Sequence, residues 1–408
     1  MPFPKALFKL GLTWVLGGYY FDEKAPNSRN DIYVSNILQN YLISYSPTTR
    51  AYAGFGQATV GLTDTLRLIA GGRYTSEKRT LTGTITDGAT TPPALLEIFG
   101  GRKTFTGFTY RVGAEYDLSP RNMLFLTYST GYKAGGFSQT VAPLNVFQPE
   151  RLKSLEFGSR NRFLDNRLQL NFGAFHWKYS NLQDQRVNFD PLGNVNFITF
   201  NSGSATLYGG TLDIVAKPAA ADTISLSGEY THSKYDRYFF QTPVPFYQPG
   251  SSGCPISGPF APGATLPYSS NGSNVNGGPL PVVVGDCRGF QVARVPKWTG
   301  TLAYSHVFDL ANGSKLTFDG SVKYASARWL SIDFIPAERD GAYALADASL
   351  TYTAPGDGWS VALFGRNLTK SVYYTGGIQT AFIAGLVASN IAPPRTYGVR
   401  ASYKFGGN

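Results

Sequence analysis

From Thr396 to Phe405 the chain alternates without a break. Tyr397, Val399, Ala401, Tyr403 and Phe405 fall on one side of the period, and Thr396, Gly398, Arg400, Ser402 and Lys404 on the other. A period of two belongs to an extended strand with one apolar and one polar face. A slip of one residue would move Arg400 and Lys404 onto the apolar face. If that face meets lipid, each would cost roughly 2–4 kcal/mol near the midplane, so the register is strongly fixed. The same alternation recurs in 108–116, 223–231 and 316–324. A soluble sandwich turns its apolar faces inward and a membrane barrel turns them outward, so alternation by itself leaves both open.

Composition narrows the choice. Charged residues make up 15% of the 408 and aromatics 14%, against about 25% charged in ordinary soluble domains. Mean hydropathy is nevertheless −0.15, and no run of about 18 apolar residues offers a membrane-spanning helix. A membrane protein without such a helix must span as a closed barrel, because lipid cannot satisfy free backbone N–H and C=O groups. The formal charge of +10 comes from basic residues scattered along the chain. With no basic block and no recognition motif, nucleic acid is not an expected partner.

The connections separate barrel from sandwich. Short turns at Thr63–Asp64, Ser119–Pro120, Asp165–Asn166, Ala219–Asp222, Ala311–Ser314 and Pro355–Gly358 take turns with long segments. The long segments cover 22–40, 83–101, 133–150, 188–196, 237–290, 328–341 and 370–394. Strict short–long alternation is the plan of outer-membrane barrels, with turns in the periplasm and loops outside. The expectation is an all-β, antiparallel transmembrane β-barrel domain over 1–408 with about 14 strands, lying in the outer membrane against its lipid. Tyr74, Tyr116, Tyr128, Tyr132, Tyr230, Tyr304, Tyr324 and Tyr352 close the apolar face. They suit aromatic girdles, although tyrosine also simply favours strands.

Few residues carry chemistry. Cys254 and Cys287 share one long Gly/Pro/Ser-rich loop, and export through an oxidising compartment favours a disulfide between them. His176, His232 and His306 lack partners at metal-ligand spacing, and no nucleophile elbow or phosphate loop is present. Neither a catalytic nor a metal site is expected, nor a cofactor. Candidate substrate contacts are Arg102 and Lys103 and the aromatics of 238–247, namely Tyr238, Phe239, Phe240, Phe246 and Tyr247. An exposed apolar patch there would mark a binding surface, and a loop packed on itself is the equal alternative.

Eight segments, taken in order, resemble the barrel of TonB-dependent outer-membrane receptors. They are Trp14–Phe21, Tyr52–Thr59, Leu66–Tyr74, Tyr128–Phe137, Glu150–Gly158, Asn201–Gly210, Gly365–Thr369 and Pro394–Phe405. The resemblance implies a barrel of about 22 strands around a plug, taking up a scarce nutrient such as an iron–siderophore complex and driven by TonB through a box ahead of the plug. On that comparison the sequence corresponds to the last 14 or so strands, and plug, TonB box and signal peptide lie outside it. TonB would then be a partner only through that N-terminal region. Lys5 and Lys9 before an apolar stretch only faintly resemble a leader, and Gly406 to Asn408 follow the terminal aromatic that closes such barrels. The alternatives are a self-contained passive 14-stranded channel, which requires the strand near Leu12 to pair with the one ending at Phe405, and a surface adhesin using the loops.

Overall fold

The alternating segments form strands, several of them far longer than a membrane requires. The structure is a computed structural model that describes residues 11–34, 39–140, 145–189, 195–267, 276, 278–379 and 384–405. Lys5, Lys9 and Gly406 to Asn408 lie outside the described residues. Fourteen strands build a wall. They are β1 (Leu12–Lys24), β2 (Gln39–Gly61), β3 (Leu66–Asp87), β4 (Ala94–Ser119), β5 (Asn122–Lys133), β6 (Glu150–Phe163) and β7 (Leu168–Phe189), followed by β8 (Val195–Ala216), β9 (Asp222–Pro243), β10 (Trp298–Asp309), β11 (Lys315–Ala325), β12 (Tyr343–Thr353), β13 (Trp359–Arg366) and β14 (Thr396–Tyr403). Each pairs antiparallel with the next. With Ser28–Val34, Ile256–Phe260 and Val282–Asp286 they form one 17-stranded sheet.

The register assembles the outward face from the apolar positions of each strand. Val399 of β14 lies opposite Leu363 of β13, which lies opposite Leu350 of β12. Leu350 in turn faces Phe318 of β11, and Phe318 faces His306 of β10. The alternate residues, among them Arg400, Asp347, Asp319 and Ser225, share the inner face with one another. All six predicted short turns stand at the junctions of strands; the tightest leaves only Pro120 and Arg121 between β4 and β5, and the left-handed Asp165 and Asn166, at φ 53° and 67°, turn β6 into β7.

The long connections differ from expectation. Of 83–101, only 88–93 lies outside the strands β3 and β4, and 22–24, 28–34, 39–40, 188–189 and 195–196 are strand as well. The reason is a change of pattern partway along β3. Up to Tyr74 its outward positions are Leu66, Leu68, Ala70 and Gly72, and beyond it they are Ser76, Lys78, Thr80, Thr82, Thr84 and Thr86. The inner positions change the other way, to Leu81 and Ile85, which form a buried cluster with Ile43 and Phe99. A strand leaving lipid for water must exchange its faces, because its apolar side can then be buried only against the chain itself. Tyr74 therefore marks the membrane boundary at this end. Tyr132 is no girdle residue, because its ring packs over Gly107, where an added Cβ would lie 2.4 Å from its Cδ2.

Among the described residues β1 pairs with β2 alone and β14 with β13 alone. The β1–β14 pairing that a self-contained 14-stranded channel requires is not formed, and the wall has two open edges.

Candidate functional site

The most heavily built region lies at the long-loop end of β9. Past the wall, β9 continues to Pro243 and pairs with Val282–Asp286, placing Phe239 opposite Asp286 and Gln241 opposite Val284. Ile256–Phe260 pairs on the far side of that strand. A disulfide joins Cys254 to Cys287, whose Cα atoms are 5.0 Å apart. Alternation sends Tyr238 and Phe240 to one face, into a core with Tyr235, both cysteines, Ile332 and Phe334. Phe239 goes to the other face, against Leu266, Val282 and Val284.

A second loop, between β11 and β12, is bolted onto the first. The Tyr238 hydroxyl donates to the carbonyl of Ile332 at 3.2 Å, and the amide of Gly253 donates to Asp333 at 2.8 Å. Arg294 donates from its amide to Trp329 and from Nε to Leu330. Gly253 allows this approach, because a Cβ there would lie 2.0 Å from the carbonyl oxygen of Phe334. Phe334 is left-handed at φ 57° and packs its ring, tilted, 4.6 Å from that of Phe290. A third loop joins through Arg328, which donates to the carbonyl of Tyr374 at 2.7 Å.

This body encloses charge. Arg186 of β7 lies 3.9 Å from Asp333, and its guanidinium sits 4.0 Å over the Phe240 ring. Glu338 is fully buried, and neither carboxyl oxygen makes a hydrogen bond of normal geometry. Burial, reinforced by the charge of Asp333, pushes its carboxyl up to about 8. Burial also raises Asp333, although Arg186 pulls it back, and raises Asp184, which accepts a 3.4 Å bond from the Tyr235 hydroxyl. The exposed side of the body carries Arg339, stacked 5.0 Å over the half-buried ring of Trp329.

The predicted contact residues do not come together as one surface. Tyr238, Phe239 and Phe240 are 0%, 5% and 3% exposed, so they hold the loop together and are closed to a ligand. The physical reason is that the strand becomes central in a small sheet and both its faces are covered. Phe246 and Tyr247 stay half-buried at a short 3₁₀ turn, Val244–Phe246. Arg102 and Lys103 are exposed but adjacent on β4, so they point to opposite faces. Lys103 lies over the Phe105 ring and reaches Gln148 at 3.4 Å. The sequence reading passed over Asp333, Glu338, Trp329 and Arg339. Its available signal was the alternation of Leu330, Ile332 and Phe334 with Ser331 and Asp333 within a loop, with Glu338, Arg339 and Asp340 a few residues on.

Below the loops, the inner face from β9 to β14 forms a groove of about 520 Å³. Asp319 and Asp347 line it towards β11 and β12, and Arg366 and Arg400 towards β13 and β14, both stacked near the Phe364 ring at 5.7 and 5.8 Å. Phe364 fits because its cross-strand neighbour is Gly398, where a Cβ would come within 2.4 Å of the ring. Of the histidines, His306 lies 2.6 Å from Asp222 on the outward face near the turns. Register brings His176 and His232 to one level with Tyr208 between them. Among the described residues no group of three or more His, Cys, Asp or Glu side chains could hold a metal ion. No helix among them is long and apolar enough to cross a membrane, which says nothing of strands.

Solved structures share this wall. The ferric yersiniabactin uptake receptor FyuA from Yersinia pestis superposes with a TM-score of 0.69 at 17% identity, covering 96% of this chain and 51% of that one. The siderophore receptor PiuA from Acinetobacter baumannii gives 0.67 at 16%, covering 98% and 53%. The copper transporter OprC gives 0.63 at 12%, covering 97% and 56%. The chain thus spans about half the length of the structures it matches. The family described as TonB dependent receptor-like, β-barrel matches residues 4–368, and to that family, whose members are transporters and receptors of the Gram-negative outer membrane, this chain belongs.

Proposed function

We propose that this chain forms the β1–β14 wall and the outer loop face of a receptor that captures a scarce nutrient, a ferric siderophore, outside the cell and passes it along the inner face. Its single open sheet is completed by further strands, because two rows of unpaired backbone groups are not tolerated in lipid. The carrying observation is the asymmetry of building. One end of the wall has tight turns only, and the other has loops with their own buried cores, a disulfide and an exposed Arg339 over the half-buried Trp329 ring. A passive pore needs a polar wall and has no use for such a body. An aromatic ring under a guanidinium suits a flat, anionic, ring-bearing chelate.

The iron-siderophore reading is supported by the names of FyuA and PiuA, while OprC is named for copper. The substrate-contact residues proposed are Trp329 and Arg339, with Lys103, Phe246 and Tyr247 from the sequence reading on the same end. Coupling to TonB would act through a plug-bearing region of the whole receptor. The test is uptake of iron-55 carried by a hydroxamate, a catecholate and a phenolate siderophore, in cells expressing the receptor. Saturable, energy-dependent uptake of one of them, lowered at least about tenfold by Trp329→Ala with Arg339→Ala, is expected. Uptake of copper alone, or ion conductance without ligand dependence, would overturn the reading.

A further inference from the structure

The outward face carries a row of lysines immediately above the membrane boundary. Lys153 of β6 lies directly opposite Lys178 of β7, Lys178 opposite Thr206 of β8, and Thr206 opposite Lys234 of β9. All three lysines are exposed and share the face of Leu155, Phe157 and Phe172, which are 46%, 44% and 43% exposed. One position lower on that face, two residues along each strand, the row reads Leu155, His176, Tyr208 and His232, with Tyr208 stacked 4.8 Å from His232. The backbone positions of the lysines therefore stand roughly 6–7 Å beyond those of the last apolar and aromatic row, at about 3.3 Å per residue. Just before β10, Lys297 places a further ammonium group 5.7 Å from the centre of the Tyr230 ring, below the lysine row.

The row is electrostatically unbalanced. Like charges directly opposite one another on adjacent strands repel, with Cβ atoms about 5 Å apart. Among the described residues Lys153 and Lys178 have no acidic partner. The one acid on this patch, Asp236, lies 3.9 Å from Lys234 and accepts a bond from the Thr206 hydroxyl. The contrast on the same wall is Arg50 of β2, which also stands above the girdle and is paired with Asp22 of β1 at 2.8 Å. Repulsion retained between Lys153 and Lys178 calls for an anion from outside the chain.

We propose that Lys153, Lys178 and Lys234 form a docking site for the phosphorylated headgroup of a glycolipid in the outer leaflet. Its acyl chains would lie on Leu155, Phe157 and Phe172, and its phosphates between the ammonium groups. The position decides the source. A soluble anion has no reason to bind beside a lipid-facing apolar surface, whereas a membrane lipid presents phosphate and hydrocarbon at this spacing. This proposal rests on the outward apolar face and not on the transported substrate.

The test uses the full chain, extracted from outer membranes in mild detergent and washed into vesicles of phosphatidylethanolamine, with or without a bisphosphorylated lipid A glycolipid. Retained glycolipid is counted by native mass spectrometry. Unsubstituted protein should hold it, and should hold the phosphatase-treated glycolipid at least about tenfold less, at about 1 kcal/mol for each basic residue near the surface. Lys153→Gln, Lys178→Gln and Lys234→Gln together should cause the same loss. The three Lys→Arg replacements should restore binding, and the inner-face Lys323→Gln should change nothing. Equal retention of the dephosphorylated lipid would overturn the proposal, and it needs no variant that might misfold. So would unchanged retention by the triple Gln variant, or displacement by inorganic phosphate alone.

Discussion

Glu338 has both carboxyl oxygens shut inside the loop body, and its carboxyl is pushed from an ordinary 4.5 up to about 8. A group whose folded pKa is raised holds its proton more tightly when folded, so stability is fully present below about 4.5 and is lost as pH rises to about 8. Asp333, raised by burial too, acts in the same direction. Amide-exchange protection of Leu330, which donates to the Glu338 carbonyl at 2.9 Å, should therefore be greatest in acid and fall towards pH 8. Glu338→Gln should flatten that response, and an unchanged response would contradict the assignment. At Gly398 the constraint is steric, since any side chain meets the Phe364 ring. Gly398→Val should lower the yield of heat-modifiable folded protein by several-fold, and Phe364→Ala in the same chain should recover it. Neither residue was legible beforehand. Alternation identifies which face a residue takes, but not which loop closes over Glu338 or which ring crosses to Gly398.

Among the elements, β14 was legible almost residue by residue, because its two faces differ in every position from Tyr397 to Tyr403. Val399→Arg should cost roughly 2–4 kcal/mol in urea unfolding from vesicles, whereas Ser402→Arg on the inner face should cost little. The last residues of β3, 83–87, were read as loop, although Thr84 and Thr86 continue the alternation of Thr80 and Thr82 with Leu81 and Ile85. There the apolar face is thin and has changed sides, so a search for a lipid-facing stripe ends at Tyr74. For the β9 loop the sequence leaves an exposed aromatic surface and a loop packed on itself equally open, because composition does not reveal that Val282–Asp286 returns to cover it. Closing a loop with a sequence separation of 33 by the disulfide contributes about 3–4 kcal/mol on the chain-entropy account. Cys254→Ser with Cys287→Ser should make 244–281 the first site of proteolysis while leaving the wall folded. Unchanged cleavage would show that the aromatic core suffices.

At the scale of the whole molecule, the fourteen strands make a curved wall with a polar inside, an apolar outside, tight turns at one end and built loops at the other. Both open edges among the described residues, on β1 and β14, follow from the pairing, and the chain covers about half the length of its structural neighbours. The central claim is that the apolar face meets lipid, and only between the girdles. Nitroxide labels placed singly along β3 of the receptor in outer-membrane vesicles test it most directly, by collision with oxygen in lipid and a nickel chelate in water. Leu68, Ala70, Gly72 and Tyr74 should favour oxygen, Ile69, Gly71, Arg73 and Thr75 should favour nickel, and the outward series should turn to nickel from Ser76 onward. Equal exposure of both faces, or oxygen at the odd positions, would contradict the account.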